Sequence, residues 1–109
     1  MAENNTFEHP ALLESARLAL RVSTHAFDAE IQLLILAAIG DLQVAGVVIE
    51  GNSADTDPLL IRAIVTYCKV NFGEPDEYVR LKRSYDEQKA QLVTATGYTN
   101  WEVTGNGQE

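Results

Sequence analysis

FDAEIQLLILAAIGDLQVAGVVIEGNSADTDPLLIRAIVTYCKVNF, residues Phe27 to Phe72, decides the fold of this 109-residue chain. It reads as two apolar helices joined by a polar loop and restarted at Asp57-Pro58-Leu59-Leu60. From Ile31 to Ile39 nearly every residue is apolar, so the helix that holds them needs protein over most of its circumference. The pattern carries this helix from Asp28 to Ala45, with Asp28, or Ser23 or Thr24 before it, as the expected cap. Gly40 lies in its interior, where a close helix crossing or a kink would account for it. The stretch Gly46 to Thr56 mixes turn formers with Val47-Val48-Ile49 and predicts a loop with room for a short edge strand. The next helix has a clear start. Thr56 or Asp57 accepts from its first free N–H groups, and Pro58 has no N–H to leave unpaired at the first helical position. Leu60, Ile61, Ile64, Val65, Cys68 and Phe72 form its buried stripe.

Outward from this block, Pro10 opens a first helix that runs through Leu20, after a polar and flexible N-terminus over residues 1–9. Its packing stripe is Leu13, Ala16 and Leu20, widened by Leu12 and Ala19, with Glu14, Arg17 and Arg21 mostly outside it. On the far side, Gly73-Glu74-Pro75 stops the third helix, and a fourth is expected from about Pro75 to Thr94. Tyr78, Leu81, Tyr85, Gln88, Leu92 and Ala95 recur along it at spacings of three and four, like a seam. From Gly97 the chain is rich in glycine and asparagine and shows no period, which predicts an extended tail over residues 97–109. The fold class is therefore all-α: a small bundle of about four helices over residues 10–96, with a polar loop between the second and third helices.

Apolar residues make up 46% and charged residues 22% of the chain, which places it with folded soluble domains rather than disordered ones. The net charge of −8 opposes non-specific binding to phosphate backbones and argues against a sequence-reading DNA-binding protein. A single cysteine, Cys68, allows no intramolecular disulfide and suits a reducing compartment. The longest apolar run, Leu33 to Ile39, is far short of the ~20 residues that span a bilayer, so neither membrane insertion nor secretion is expected.

Residues that carry chemistry are scarce. His9 and His25 sit in different segments, and His25 has Asp28 and Glu30 near it without the paired histidines or cysteines of a metal site. Cys68 reads as a small buried hydrophobe, and Asp55 and Asp57 share a loop that matches no calcium-binding spacing. Gly46 to Gly51 lacks the Lys-Ser/Thr of a phosphate loop. Arg80, Lys82, Arg83 and Lys89 spread over more than one helix face among Asp86 and Glu87, as on a solvated face or an inter-subunit salt-bridge surface. No catalytic residue, cofactor or metal is expected, and the chain reads as an interaction module. Tyr98 and Trp101 stand out, because large aromatics in a polar tail are enriched where chains meet.

The order of these segments resembles the small head-to-tail connector proteins of tailed bacteriophages, the head-completion or neck-adaptor family often described as DNA-packaging proteins. The resemblance covers about residues 10–96. It rests on Ala16-Arg17-Leu18-Ala19-Leu20-Arg21-Val22 closing the first helix, Phe27-Asp28-Ala29-Glu30-Ile31 opening the second, Asp57-Pro58-Leu59-Leu60-Ile61-Arg62-Ala63-Ile64, and the aromatic-bearing exit Tyr67 to Phe72. In that family the second helix is commonly more amphipathic than the apolar run found here. The resemblance implies a structural virion protein, assembled in the host cytoplasm, that forms a homo-oligomeric ring, dodecameric in the virion, beneath the portal protein. It would extend the DNA channel, through which DNA passes without specific binding, and offer a platform to the next neck or tail-completion protein. Tyr78, Leu81, Tyr85, Leu92, Tyr98 and Trp101 are then the expected interface residues, and Asp57 and Pro58 the helix cap. A second reading, from a different class, is a small acidic helical regulator that binds one protein partner.

Overall fold

The structure, a computed structural model, describes residues 7–95 and 97–99. Five helices occupy them: α1 (Pro10–Leu20), α2 (Asp28–Val44), α3 (Ser53–Thr56), α4 (Pro58–Asn71) and α5 (Tyr78–Thr94), and no strand occurs among the described residues. The described part of the chain is all-α, as its periodicity requires. α4 is the hub that packs against each of the other four helices, while α1 also lies against α2 and α3. Leu12, Ile31, Ile35, Leu42, Leu60 and Ile64 are fully enclosed around it, with Cys68.

Pro10 starts α1 as expected, and the helix ends with Arg21 in the left-handed region at φ 60°. The Arg21 N–H donates to Leu18 O and the Val22 N–H to Arg17 O, the paired bonds of a Schellman stop. Arg17, expected on the wet side, is buried instead. Its guanidinium donates to the carbonyls of Ser23 and Thr24 at 3.1 and 3.2 Å, reaches Glu14, and lies 3.3 Å from Asp28 Oδ1. One side chain thus satisfies the backbone of the α1–α2 connection, which is why a charged group tolerates burial there.

Asp28 does not cap α2. Phe27 holds that position without a side-chain bond, and Asp28 is the first helical residue, its carboxylate beside Arg17 and within 3.0 Å of His25 Nδ1. Gly40 serves no close crossing within the subunit, since a methyl group there would meet nothing within 4 Å. α2 closes on Gly46, at φ 110°, with Val47 N–H donating to Leu42 O and the Val47 side chain entering the core. The edge strand allowed by Val47-Val48-Ile49 gives way to this loop and to the one-turn α3, whose Ala54 is buried against α4.

α4 begins as the sequence dictates: Leu59 N–H donates to Asp57 Oδ1 at 2.9 Å, with Pro58 at the first helical position. Gly73, at φ 65°, turns the chain away after Phe72, whose ring meets Phe27 edge to face at 5.6 Å. α5 starts at Tyr78 rather than near Pro75. Asp76 and Glu77 form a turn before it, and Glu77 pairs with Arg80 instead of capping the backbone.

Candidate functional site

The seam along α5 is used inside the subunit. Leu81, Tyr85 and Leu92 are buried in the core, at most 7% exposed, so these three expected interface residues hold α5 to α4 instead. Their spacing announced burial without saying which chain would provide it. Tyr85 is also the centre of a polar knot. Its hydroxyl donates to Asp41 Oδ2 at 2.6 Å, Lys89 Nζ donates to the same oxygen at 3.1 Å, and the Tyr67 ring meets the Tyr85 ring edge to face at 5.3 Å. Lys89 Nζ also stands 5.3 Å from the Tyr85 ring centre. The Tyr85 bond, followed by Lys89, holds the Asp41 carboxyl below its usual range, while burial and the Asp41 charge push the Tyr85 phenol up. The knot fastens the end of α2 to the middle of α5.

Tyr98 is tied to its own subunit as well. Its hydroxyl donates to Asp57 Oδ2 at 2.9 Å, and its carbonyl accepts from the Val48 N–H at 2.7 Å. Asp57 therefore serves two roles, capping α4 with one oxygen and holding Tyr98 with the other. Trp101 lies outside the described residues. Of the expected interface set, Tyr78 is the one that the structure shows outward, half exposed beside the 70% exposed Val79.

The remaining candidate chemistry is structural. Cys68 is buried and its thiol is pushed up to about 12, which keeps it protonated and inert at neutral pH. His9 Nδ1 lies 3.1 Å from Asp55 Oδ1 and joins the segment before α1 to α3. No cluster of three or more His, Cys, Asp or Glu side chains converges among the described residues, and no helix there is long and apolar enough to cross a membrane.

A feature that the seam reading overlooked is the second face of α2. Ile31, Ile35, Ala38 and Leu42 face the core, whereas Leu33, Leu36 and Val44 are 66%, 50% and 89% exposed on the opposite side. At about 3.6 residues per turn, Ala29, Ala37 and Gly40 fall on that outward side too. The signal was in the sequence: a helix apolar all round has no wet face, and α4 and α1 cover only one side. Gly40 costs about 1 kcal/mol relative to alanine in a helix interior, and the subunit alone gives it no steric purpose.

Residues 12–99 match the profile of a family described as phage connector protein. Comparison with curated proteins and with solved structures finds no match.

Proposed function

This chain belongs to the phage connector protein family, and from that membership we propose that it assembles as a ring beneath the portal, extends the DNA channel, and presents a platform to the next neck or tail protein. The family is a structural one of the virion, and the role rests on assembly rather than turnover. One observation supports the ring above others: the uncovered apolar face of α2, which a soluble subunit covers only by binding another chain. A heterologous contact repeated around an axis buries one patch of each copy against a different patch of its neighbour, and closes without leaving any patch open.

The net charge of −8 suits a conduit. A wall that gripped phosphates would retard DNA sliding past it, whereas an acidic or sparsely charged wall lets the polyanion move. A basic lumen in the assembled ring would count against this part of the reading. The direct test is to mix the purified protein with the portal ring of the same phage, then measure mass by light scattering and look for added density in negative-stain electron micrographs. A ring stacked on the portal is the expected result. No stacking, with a stable monomer or dimer alone, would favour a small acidic regulator that acts on a single protein.

A further inference from the structure

The outward stripe of α2 is Ala29, Leu33, Leu36, Ala37, Gly40 and Val44, and none of these carries a charge. Its small residues leave an open groove at Gly40, beside which Leu33 and Leu36 project. On α5, the outward side forms a shallow trough of about 460 Å³ lined by Tyr78, Val79, Lys82, Arg83 and Ala90, with Asp86 and Glu87. The two helices are of equal length, 17 residues each. We propose that the outer stripe of α2 docks into the α5 trough of a second copy of this chain, so that every copy presents one face and receives the other.

The unpaired charges favour this pairing. Of the acidic residues of α2, Asp28 is held by Arg17 and Asp41 by Tyr85 and Lys89 within the subunit, which leaves Glu30 as the carboxylate beside the outward stripe. α5 carries Arg80, Lys82, Arg83 and Lys89, half of the eight basic residues in the chain. Arg80, Lys82 and Lys89 have carboxylate partners within the subunit, while Arg83 has none among the described residues and flanks the trough. Glu30, exposed and likewise without a cation among the described residues, is the acidic group that would meet it.

The contact is small. A helix of this length offers a face about 25 Å by 10 Å, well below the roughly 800 Å² per partner of a stable pair. Association of two free copies is therefore weak, and closure into a ring supplies the rest. This contact rests on the ring reading above and deepens it.

The test uses the full chain with Leu36→Cys and, separately, Val79→Cys, retaining the buried Cys68, and a short bismaleimide cross-linker at high protein concentration. The mixture of the two variants should give cross-linked dimer at least about tenfold faster than either alone, or than a mixture with Glu74→Cys as an exposed control. Adding Leu33→Asp to the Leu36→Cys chain should lower the yield about tenfold, as loss of a central apolar anchor does, with the helical circular dichroism and melting of the chain unchanged because Leu33 is exposed. Dimer formed by Leu36→Cys alone would overturn the proposal in favour of paired α2 stripes. A yield at the control level would overturn it outright. If rings then still stacked on the portal, the ring reading would stand with a different contact; cross-linking without stacking would leave the contact and remove the ring role.

Discussion

At Asp41, groups from two turns of α5 converge on one carboxylate oxygen, and that gives the fold a pH dependence of known sign. The folded carboxyl titrates below its ordinary value, so its stabilisation is complete above the unfolded value of about 4 and is lost as pH falls through the folded one. Asp41→Asn should lower the urea midpoint at neutral pH and flatten the acid limb, the two proteins converging once the pH has fallen below the folded value of the carboxyl. Parallel curves through the acid range would place that linkage elsewhere. The Asp41 to Tyr85 pair was not legible from sequence because 44 residues separate the partners, and no period connects them. Arg17 was misread for a related reason: its helical position puts it beside the stripe, and only the path of the α1–α2 connection shows that carbonyls await it. Cys68, by contrast, was legible, since its place on the α4 stripe leaves it nowhere to go but inward.

Among the elements, the starts at Pro10 and Pro58 were readable, whereas the start expected near Pro75 comes three residues later, at Tyr78. Pro10 and Pro58 occupy first helical positions as expected, whereas Asp28, expected as a cap, is the first residue of α2 with its carboxylate beside Arg17. The one-turn α3 escaped notice because Ser53 to Thr56 is too short to show a period within a loop rich in turn formers. α4 depends on Asp57 more than on any other end residue. Asp57→Ala removes its cap and should destabilise the chain by about 1 to 2 kcal/mol, with a further loss from releasing Tyr98. Tyr98→Phe removes only the second bond, so thermal melting should show the aspartate variant as the weaker. Equal losses would assign the whole effect to the tyrosine.

For the whole molecule, a charge of −8 on each copy opposes any assembly of like copies. Salt at about 0.1 M already confines such repulsion to a distance of roughly 10 Å, while apolar contacts between α2 and α5 are not weakened by it. Sedimentation should accordingly show self-association that strengthens as salt rises from about 0.05 to 0.5 M. A decline with salt would mean that ion pairs, with Glu30 and Arg83 foremost, dominate the contact. At this scale the sequence spoke clearly for helices and for the connector resemblance. It was silent on how apolar surface divides between the inside of a subunit and its outside, because Leu33 and Leu34 look alike in a string and differ only by the turn that sends one of them outward.

The attachment of Tyr98 to Val48 and Asp57 gives the chain a mechanical property. Tension applied to the residues after Thr99 would arrive first at the α2–α3 loop and at the opening turn of α4, the hub of the fold, before it reached the end of α5. Helix α5 is thus shielded from being peeled off turn by turn, as a cable clamped ahead of its joint spares the joint. Cutting the two bonds would redirect the same pull along α5 and onto the Leu92 end of the core.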